Sequence, residues 1–319
     1  MPASYPAWAD DLGHGVHAID TGFHRARFDA AYLLVQDGRA AYIDTGTRHA
    51  LPRLLGLLEL LGLPRDAVDH VIPTHVHLDH AGGVGALMQA LPTATLWVHP
   101  RGLRHMVDPT QLYQGALAVY GQAEMDRSYG TLLPVPAERA RPTVDGQVIE
   151  LAGRALHVAH TPGHAYHHHC LWDQHTRGWF TGDTFGLSYR EFDTARGPWI
   201  LPTTTPVQFD PDALQASIQR LLAREPACMY LTHYGRVQDV PRLGALLLAL
   251  LADTVAIARS APAGPGRHEA LKQALMALYL GSLTDHGCTL GDAALADLLA
   301  IDVELNAQGL AVWLDRPAR

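Results

Sequence analysis

The chain has 319 residues, 48% of them apolar and 18% charged, a balance that builds a sizeable buried core and excludes a mainly disordered protein. Its 32 acidic residues outnumber 24 basic ones, and the resulting charge of −8 argues against a nucleic acid partner, which wants a basic face. No run of about 18 uninterrupted apolar residues is present, and Met1–Pro6 has neither the basic nor the apolar region of a signal peptide. No membrane partner is expected, and the cytoplasm is the expected location. Cys170, Cys228 and Cys288 are far apart and lack CxxC spacing, so they read as free thiols that pack as small apolar groups.

Along the chain, Val16–Ile19, Ala31–Gln36 and Arg39–Ile43 read as strands, the last two joined by the Asp37-Gly38 hairpin signal. Arg53–Leu61 carries leucines at helical spacing. Asp69–Pro73 reads as a short apolar strand, Ala81–Met88 as the start of a glycine-rich helix, and Thr95–Val98 as the next strand. Leu103–Arg127 is mostly helical in pattern and interrupts the sheet. Strands resume at Val148–Leu151, Leu156–His160, His169–Trp172 and Trp179–Thr181. Asp210–Ala223 predicts a helix, with a capping carboxylate at Asp210 and a first-turn proline at Pro211. Cys228–Thr232 is the last expected strand. From Pro241 to Leu314, alanine and leucine predict three helices, broken near Ala261–Gly266 and Gly287–Gly291. Strands in two batches without a single βαβ period predict an α/β chain of two mixed sheets packed face to face, with helices outside. Residues 1–237 form that domain, and 238–319 read as a helical cap or the interface of a homodimer.

The chemistry concentrates at Thr74-His75-Val76-His77-Leu78-Asp79-His80, three imidazoles and a carboxylate in six residues at the carboxyl end of a strand. Imidazole and carboxylate are the groups that bind a borderline ion such as zinc. His75 and His77 alternate on an extended segment and point to one side, and Asp79 and His80 follow as the chain turns into a helix. Further candidates stand at other strand exits beside glycine: His164 in Thr161-Pro162-Gly163-His164, Asp183 in Thr181-Gly182-Asp183, and His233 in Thr232-His233-Tyr234-Gly235.

With these residues in order, HxHxDH followed by His164, Asp183 and His233, the chain resembles the metallo-β-lactamase-fold hydrolase superfamily over roughly residues 10–237. The resemblance implies a four-layer αβ/βα sandwich with the metals at one edge of the two sheets. It implies that His75, His77 and His164 hold one zinc, that Asp79, His80 and His233 hold the second, and that Asp183 bridges them, with iron or manganese as alternatives. Asp44, in Ile43-Asp44-Thr45-Gly46, matches the family aspartate that supports the ligands from behind.

Two ions so placed share a hydroxide as nucleophile, and Asp79 or Asp183 carries the proton to the leaving atom. The implied activity is hydrolysis of a small-molecule ester, thioester, lactone or phosphoester. Some lactonases of the superfamily place a tyrosine near Tyr189 as donor to the substrate oxygen, which makes Tyr189 a catalytic candidate. His167, His168 and His169 are expected to alternate in direction and mainly to support the site. Pro198–Pro206 is expected to wall the substrate pocket, Trp199 being equally suited to packing. The chain also resembles thiolesterases of the glyoxalase II type, but no Lys/Arg and Asn pattern of their glutathione-binding tail follows Pro241. The alternative is a mononuclear iron persulfide dioxygenase, a branch that keeps much of the same motif. On the ligand assignment, His77→Ala or Asp183→Ala removes activity and at least one metal equivalent by elemental analysis while the fold persists; unchanged metal content and activity would refute it.

Overall fold

The central strands of this chain are buried on both faces, which is why they read as continuous apolar runs rather than alternating ones. The computed structural model describes residues 5–205 and 207–316; Met1–Ser4 of the amino-terminal stretch and Pro206 of the expected pocket wall lie outside the described residues. Among the described residues, thirteen strands form two mixed sheets. The first has the order β1 (Ala9–Asp11), β2 (Val16–Asp20), β3 (Ala30–Gln36), β4 (Arg39–Ile43), β5 (Val68–Ile72), β6 (Thr95–Val98), β7 (Ala140–Pro142), antiparallel up to β4 and parallel from there. The second runs β13 (Gly235–Val237), β12 (Cys228–Leu231), β11 (Gly178–Gly182), β10 (His169–Asp173), β9 (Arg154–His160), β8 (Val148–Leu151), with β11 and β12 parallel. The longer strands match the sequence expectation within one or two residues. The three-residue strands β1, β7 and β13 carry too few residues to show a period, and β13 extends the sheet beyond the last expected strand.

Helices α1 (Leu51–Leu60), α2 (Leu78–Ala81), α3 (Val84–Ala90), α4 (Pro100–Val107), α5 (Thr110–Tyr120) and α6 (Gln122–Glu124) fall in the first half. Then come α7 (Pro211–Leu222), α8 (Val240–Ser260), α9 (Arg267–His286) and α10 (Asp292–Leu314). The chain divides into two compact units: residues 1–160, 167–182 and 227–236, and residues 161–166, 183–226 and 237–319. A single cut at 237 does not describe this division, because the long segment after β11 is hydrogen-bonded into the carboxy-terminal helices.

In the first unit the two sheets meet around Tyr32. Its ring packs edge-on against Phe180 and Tyr230, and its hydroxyl donates to the Leu231 carbonyl. The other face of the first sheet is covered by α1 and α3. Leu54, Leu57 and Leu58 share one face of α1, and with Val84, Leu87 and Met88 they close over Leu33, Tyr42, Val71 and Leu96. Burying each such leucine stabilises by about 1.5–3 kcal/mol.

The second sheet is tied by a buried ion pair. Arg154 donates from Nε to Asp173 Oδ1 at 3.0 Å and from Nη2 to Oδ2 at 2.5 Å, and Thr176 Oγ1 adds a bond to Oδ2 at 2.6 Å. Arg154 also donates to the His14 carbonyl at 2.7 Å.

The second unit is built on buried helical stripes: Leu271, Leu275, Tyr279 and Leu283 on α9, and Leu295, Leu299, Val303 and Leu310 on α10. α10 also buries Asp302 and Asn306 among these leucines. Asp210 caps α7 by accepting from the Ala213 amide at 3.1 Å, as its sequence predicts. Among the described residues, α8 is long and apolar enough to cross a membrane; Leu243, Leu247, Leu250 and Leu251 are buried on its inward side. Cys170 and Cys228 are buried thiols and Cys288 is partly buried.

Removing one member of the Arg154–Asp173 pair strands the other in the core. Arg154→Ala is therefore expected to cost about 3–5 kcal/mol in denaturant unfolding. Burial raises the Asp173 carboxyl, but bonds from Arg154 and Thr176 outweigh it and hold the group below its ordinary 3.8. A depressed folded value means that the pair stabilises fully above that pH and loses its contribution as pH falls below it. Unfolding measured from pH 7 downward should show an acid limb that is flattened in Asp173→Asn.

Candidate metal centre

Each donor of the first unit sits where a strand ends and the backbone turns. β5 runs out at Ile72, and residues 73–77, bent at Thr74 and His75 instead of extended throughout as expected, carry His75 and His77 into α2, which holds Asp79 and His80. β12 ends at Leu231, and His233 follows two residues on. Asp44 stands just past β4 with φ of +56°, a left-handed conformation that aspartate tolerates better than most residues.

Asp44 is 1% exposed, and its carboxylate is the hub of this unit. Oδ1 accepts from the Thr74 amide at 2.6 Å, and the Thr74 hydroxyl reaches both oxygens at 3.0 Å. Oδ2 accepts from the Thr232 hydroxyl at 2.8 Å and from His80 Nδ1 at 2.9 Å. A carboxylate only accepts, so His80 carries its proton on Nδ1 and its lone pair on Nε2. His233 has the same arrangement, because Nδ1 donates to the Phe28 carbonyl at 3.0 Å. Both histidines are thus held in the tautomer that a metal ligand needs, each with an acceptor behind it.

The result is a compact donor set. Asp79, His80 and His233 each bring one donor atom within 4.8 Å of the other two. Asp79 Oδ2 lies 3.4 Å from His233 Nε2 and 3.6 Å from His80 Nε2. His75 Nε2 and His77 Nδ1 stand 2.8 Å apart. Two ring nitrogens at that distance suit a shared proton or a shared cation. Burial pushes the neighbouring Asp29 carboxyl up, against the pull of His233 and His80.

In the second unit, His164 Nε2 lies 3.3 Å from Asp183 Oδ2, and both side chains are buried. His164 follows Gly163, whose φ of +133° and contact with the Leu214 amide, 2.2 Å from where a Cβ would stand, allow only glycine. The Gly163 carbonyl accepts from the Asp210 amide at 2.7 Å, which fixes the His164 turn to the start of α7.

The three consecutive histidines do not alternate as expected, because the strand begins only at His169 and both residues before it lie against donor rings. His168 stacks on His75 at 4.8 Å, and His167 meets His77 edge-on at 5.5 Å. Burial, then the nearby His77, lowers His167 to about 2. His169 is structural: Nε2 donates to the Pro73 carbonyl at 2.9 Å, the Thr143 hydroxyl meets Nδ1 at 2.9 Å, and burial lowers its pKa to about 3.

Two expectations about the segment after Asp183 are corrected. The Tyr189 hydroxyl, expected to donate to a substrate oxygen, donates to Asp302 Oδ1 on α10 at 3.1 Å, and the side chain is fully buried. Trp199, Ile200 and Leu201 are buried in the helical unit instead of walling a pocket. Trp199 packs edge-on against Phe192 and Tyr279 and donates to Ser282 Oγ at 2.9 Å. Thr74 and Thr232 were not singled out in the sequence, although a signal for them exists: each immediately precedes a ligand candidate, in Thr74-His75 and Thr232-His233.

A family model described as the metallo-beta-lactamase superfamily matches residues 25–233, a span that contains all seven donors. The chain belongs to the metallo-beta-lactamase superfamily. A metallo-beta-lactamase fold-containing protein of Sulfurisphaera tokodaii is 24% identical over 234 residues, 70% of this chain and 79% of that protein. Its crystal structure aligns with a TM-score of 0.67 over 94% of this chain and 99% of that one, at 21% identity, which shows a shared fold. A human acyl-coenzyme A thioesterase is 31% identical over 195 residues, 54% of this chain and 64% of that protein. An atrochrysone carboxyl ACP thioesterase of Aspergillus novofumigatus is 28% identical over 153 residues, 48% of this chain. The chain spans 37% of that fungal protein's length.

The donors of each unit fit a metal ion: imidazole and carboxylate groups, most of them buried, with the tautomers of His80 and His233 already set. Asp44→Asn replaces an acceptor facing four donors with a group that must turn an amide N–H toward one of them. It is expected to weaken metal binding about 10–100-fold in competition with a chromophoric chelator. Affinity equal to the unaltered protein would show that Asp44 does not orient the ligands.

Proposed function

We propose that this chain is a metal-dependent hydrolase that uses two zinc ions to cleave a thioester between an acyl group and its thiol carrier. The observation that carries the hydrolase reading is the fixed tautomer of His80 and His233 beside Asp79. The thioester is supported by the two relatives named as thioesterases. In this reading His75, His77 and His164 would hold one ion and Asp79, His80 and His233 the other, with Asp183 as a further carboxylate ligand. Ions held there would supply Lewis-acid polarisation of the acyl carbonyl and a water activated near neutral pH.

The residues of the chain do the rest. Asp44 keeps His80 oriented, and the Phe28 carbonyl does so for His233. Asp79 is partly exposed, and its carboxylate oxygen not used as a ligand would carry a proton toward the leaving sulfur. A thiol is acidic enough, near pH 8.5, that this release need not be complete for the bond to break. The rings of His167 and His168 pack against His75, and that of His167 also against His77, which supports the two ligands from the side.

The test is a substrate panel with metal-restored protein: an acyl-coenzyme A, a lactone, a p-nitrophenyl ester and a phosphodiester. The acyl-coenzyme A is expected to be turned over with kcat/KM at least about tenfold above the others, a difference of 1.4 kcal/mol in transition-state binding. A phosphodiester in first place, or no substrate above background, would refute the thioester reading. One iron per chain, with sulfite formed from glutathione persulfide, would assign the protein to the dioxygenase branch instead.

A further inference from the structure

Asp183 is the first residue past β11, where the chain enters a long irregular segment, and something must hold that segment if the carboxylate is to keep a fixed place. The Asp183 carbonyl accepts from the Gly186 amide at 3.1 Å, closing a turn. Leu187 then pairs with Leu201 in a two-way bridge, with N–H to carbonyl distances of 2.9 and 3.0 Å. The Ser188 hydroxyl adds a bond to the Trp199 carbonyl at 2.6 Å. The stem of the Asp183 loop is therefore as fixed as residues 199–204 are.

Those residues are gripped by one side chain. Asn306, on α10 and 1% exposed, accepts from the Thr204 amide at Oδ1, 2.7 Å. Its Nδ2 donates to the Pro202 carbonyl at 3.0 Å and to the Tyr279 hydroxyl at 3.1 Å. Its own carbonyl accepts from the Thr204 hydroxyl at 3.0 Å. One turn later, Gly309 lets the helix close on this segment: a Cβ there would lie 1.5 Å from the Thr204 carbonyl oxygen. A buried amide with its donors and acceptor matched to the backbone of another segment is a specific clamp, since no apolar residue of that shape could replace it without stranding the Thr204 amide and the Pro202 carbonyl.

We propose that Asn306 is a positioning residue for metal binding, holding Asp183 in place through Thr204, Pro202 and the Leu187–Leu201 bridge. The helical tail then contributes to the metal site without supplying a ligand. This inference rests on Asp183 being a metal ligand.

The experiment compares Asn306→Ala, Asp183→Ala and Leu295→Ala, the last a cavity substitution on the same helix, away from the clamp. Each variant is loaded with zinc and titrated against a chromophoric chelator well below its unfolding temperature, and its Tm is recorded. Asn306→Ala is expected to lose about tenfold or more in affinity for one zinc equivalent, whereas Leu295→Ala keeps both equivalents at a similar or larger loss of Tm. Full zinc affinity in Asn306→Ala, or an equal loss in Leu295→Ala, overturns the positioning role while Asp183→Ala still loses metal. Retention of both equivalents in Asp183→Ala overturns the ligand assignment beneath it.

Discussion

One buried carboxylate organises the first unit. Asp44 lies at the end of β4, Thr74 just past β5 and Thr232 just past β12, and all three strand ends are tied at its two oxygens. Each threonine immediately precedes a histidine, so the bonds that satisfy the carboxylate also set the backbone from which His75 and His233 depart. The third partner, His80, is itself a donor candidate. A charge this deeply buried is tolerable only with several donors around it. Meeting that requirement and aiming the histidines are the same act.

Much of this was legible in the chain. Donor types and spacing identify the cluster at 75–80, and strand exits beside glycine identify His164, Asp183 and His233. The strands that a reader finds are those long enough to show an apolar run. What stayed hidden depends on partners distant in sequence. Tyr189 reads as an available hydroxyl until Asp302 takes it from 113 residues away. Trp199 sits in a proline-stiffened stretch that suits a pocket wall, yet Ser282 and Tyr279 draw it inward. Local pattern shows what a side chain can do, and only tertiary placement shows what it is already doing.

The polar positions inside α10 show the same rule from the other side. In sequence, Asp302 and Asn306 interrupt an otherwise leucine- and alanine-rich helix and look like flaws in its apolar face. Buried, Asp302 meets Tyr189, and Asn306 meets the 202–204 segment and Tyr279. A buried polar group is costly unless matched, and these matches fix register where leucine alone would allow sliding.

The interleaving of the two units bears on how such a chain could be shortened or recombined. Residues 161–166 and 183–226 are assigned with the helical tail, and they bring two of the seven donors with them. Deleting everything after β13 would not leave a minimal catalytic domain. It would strip Trp199, Tyr189 and Leu201 of the helices that cover them and turn the Asp183 loop into an exposed apolar strap. In this chain the tail can be exchanged only together with the loop it holds.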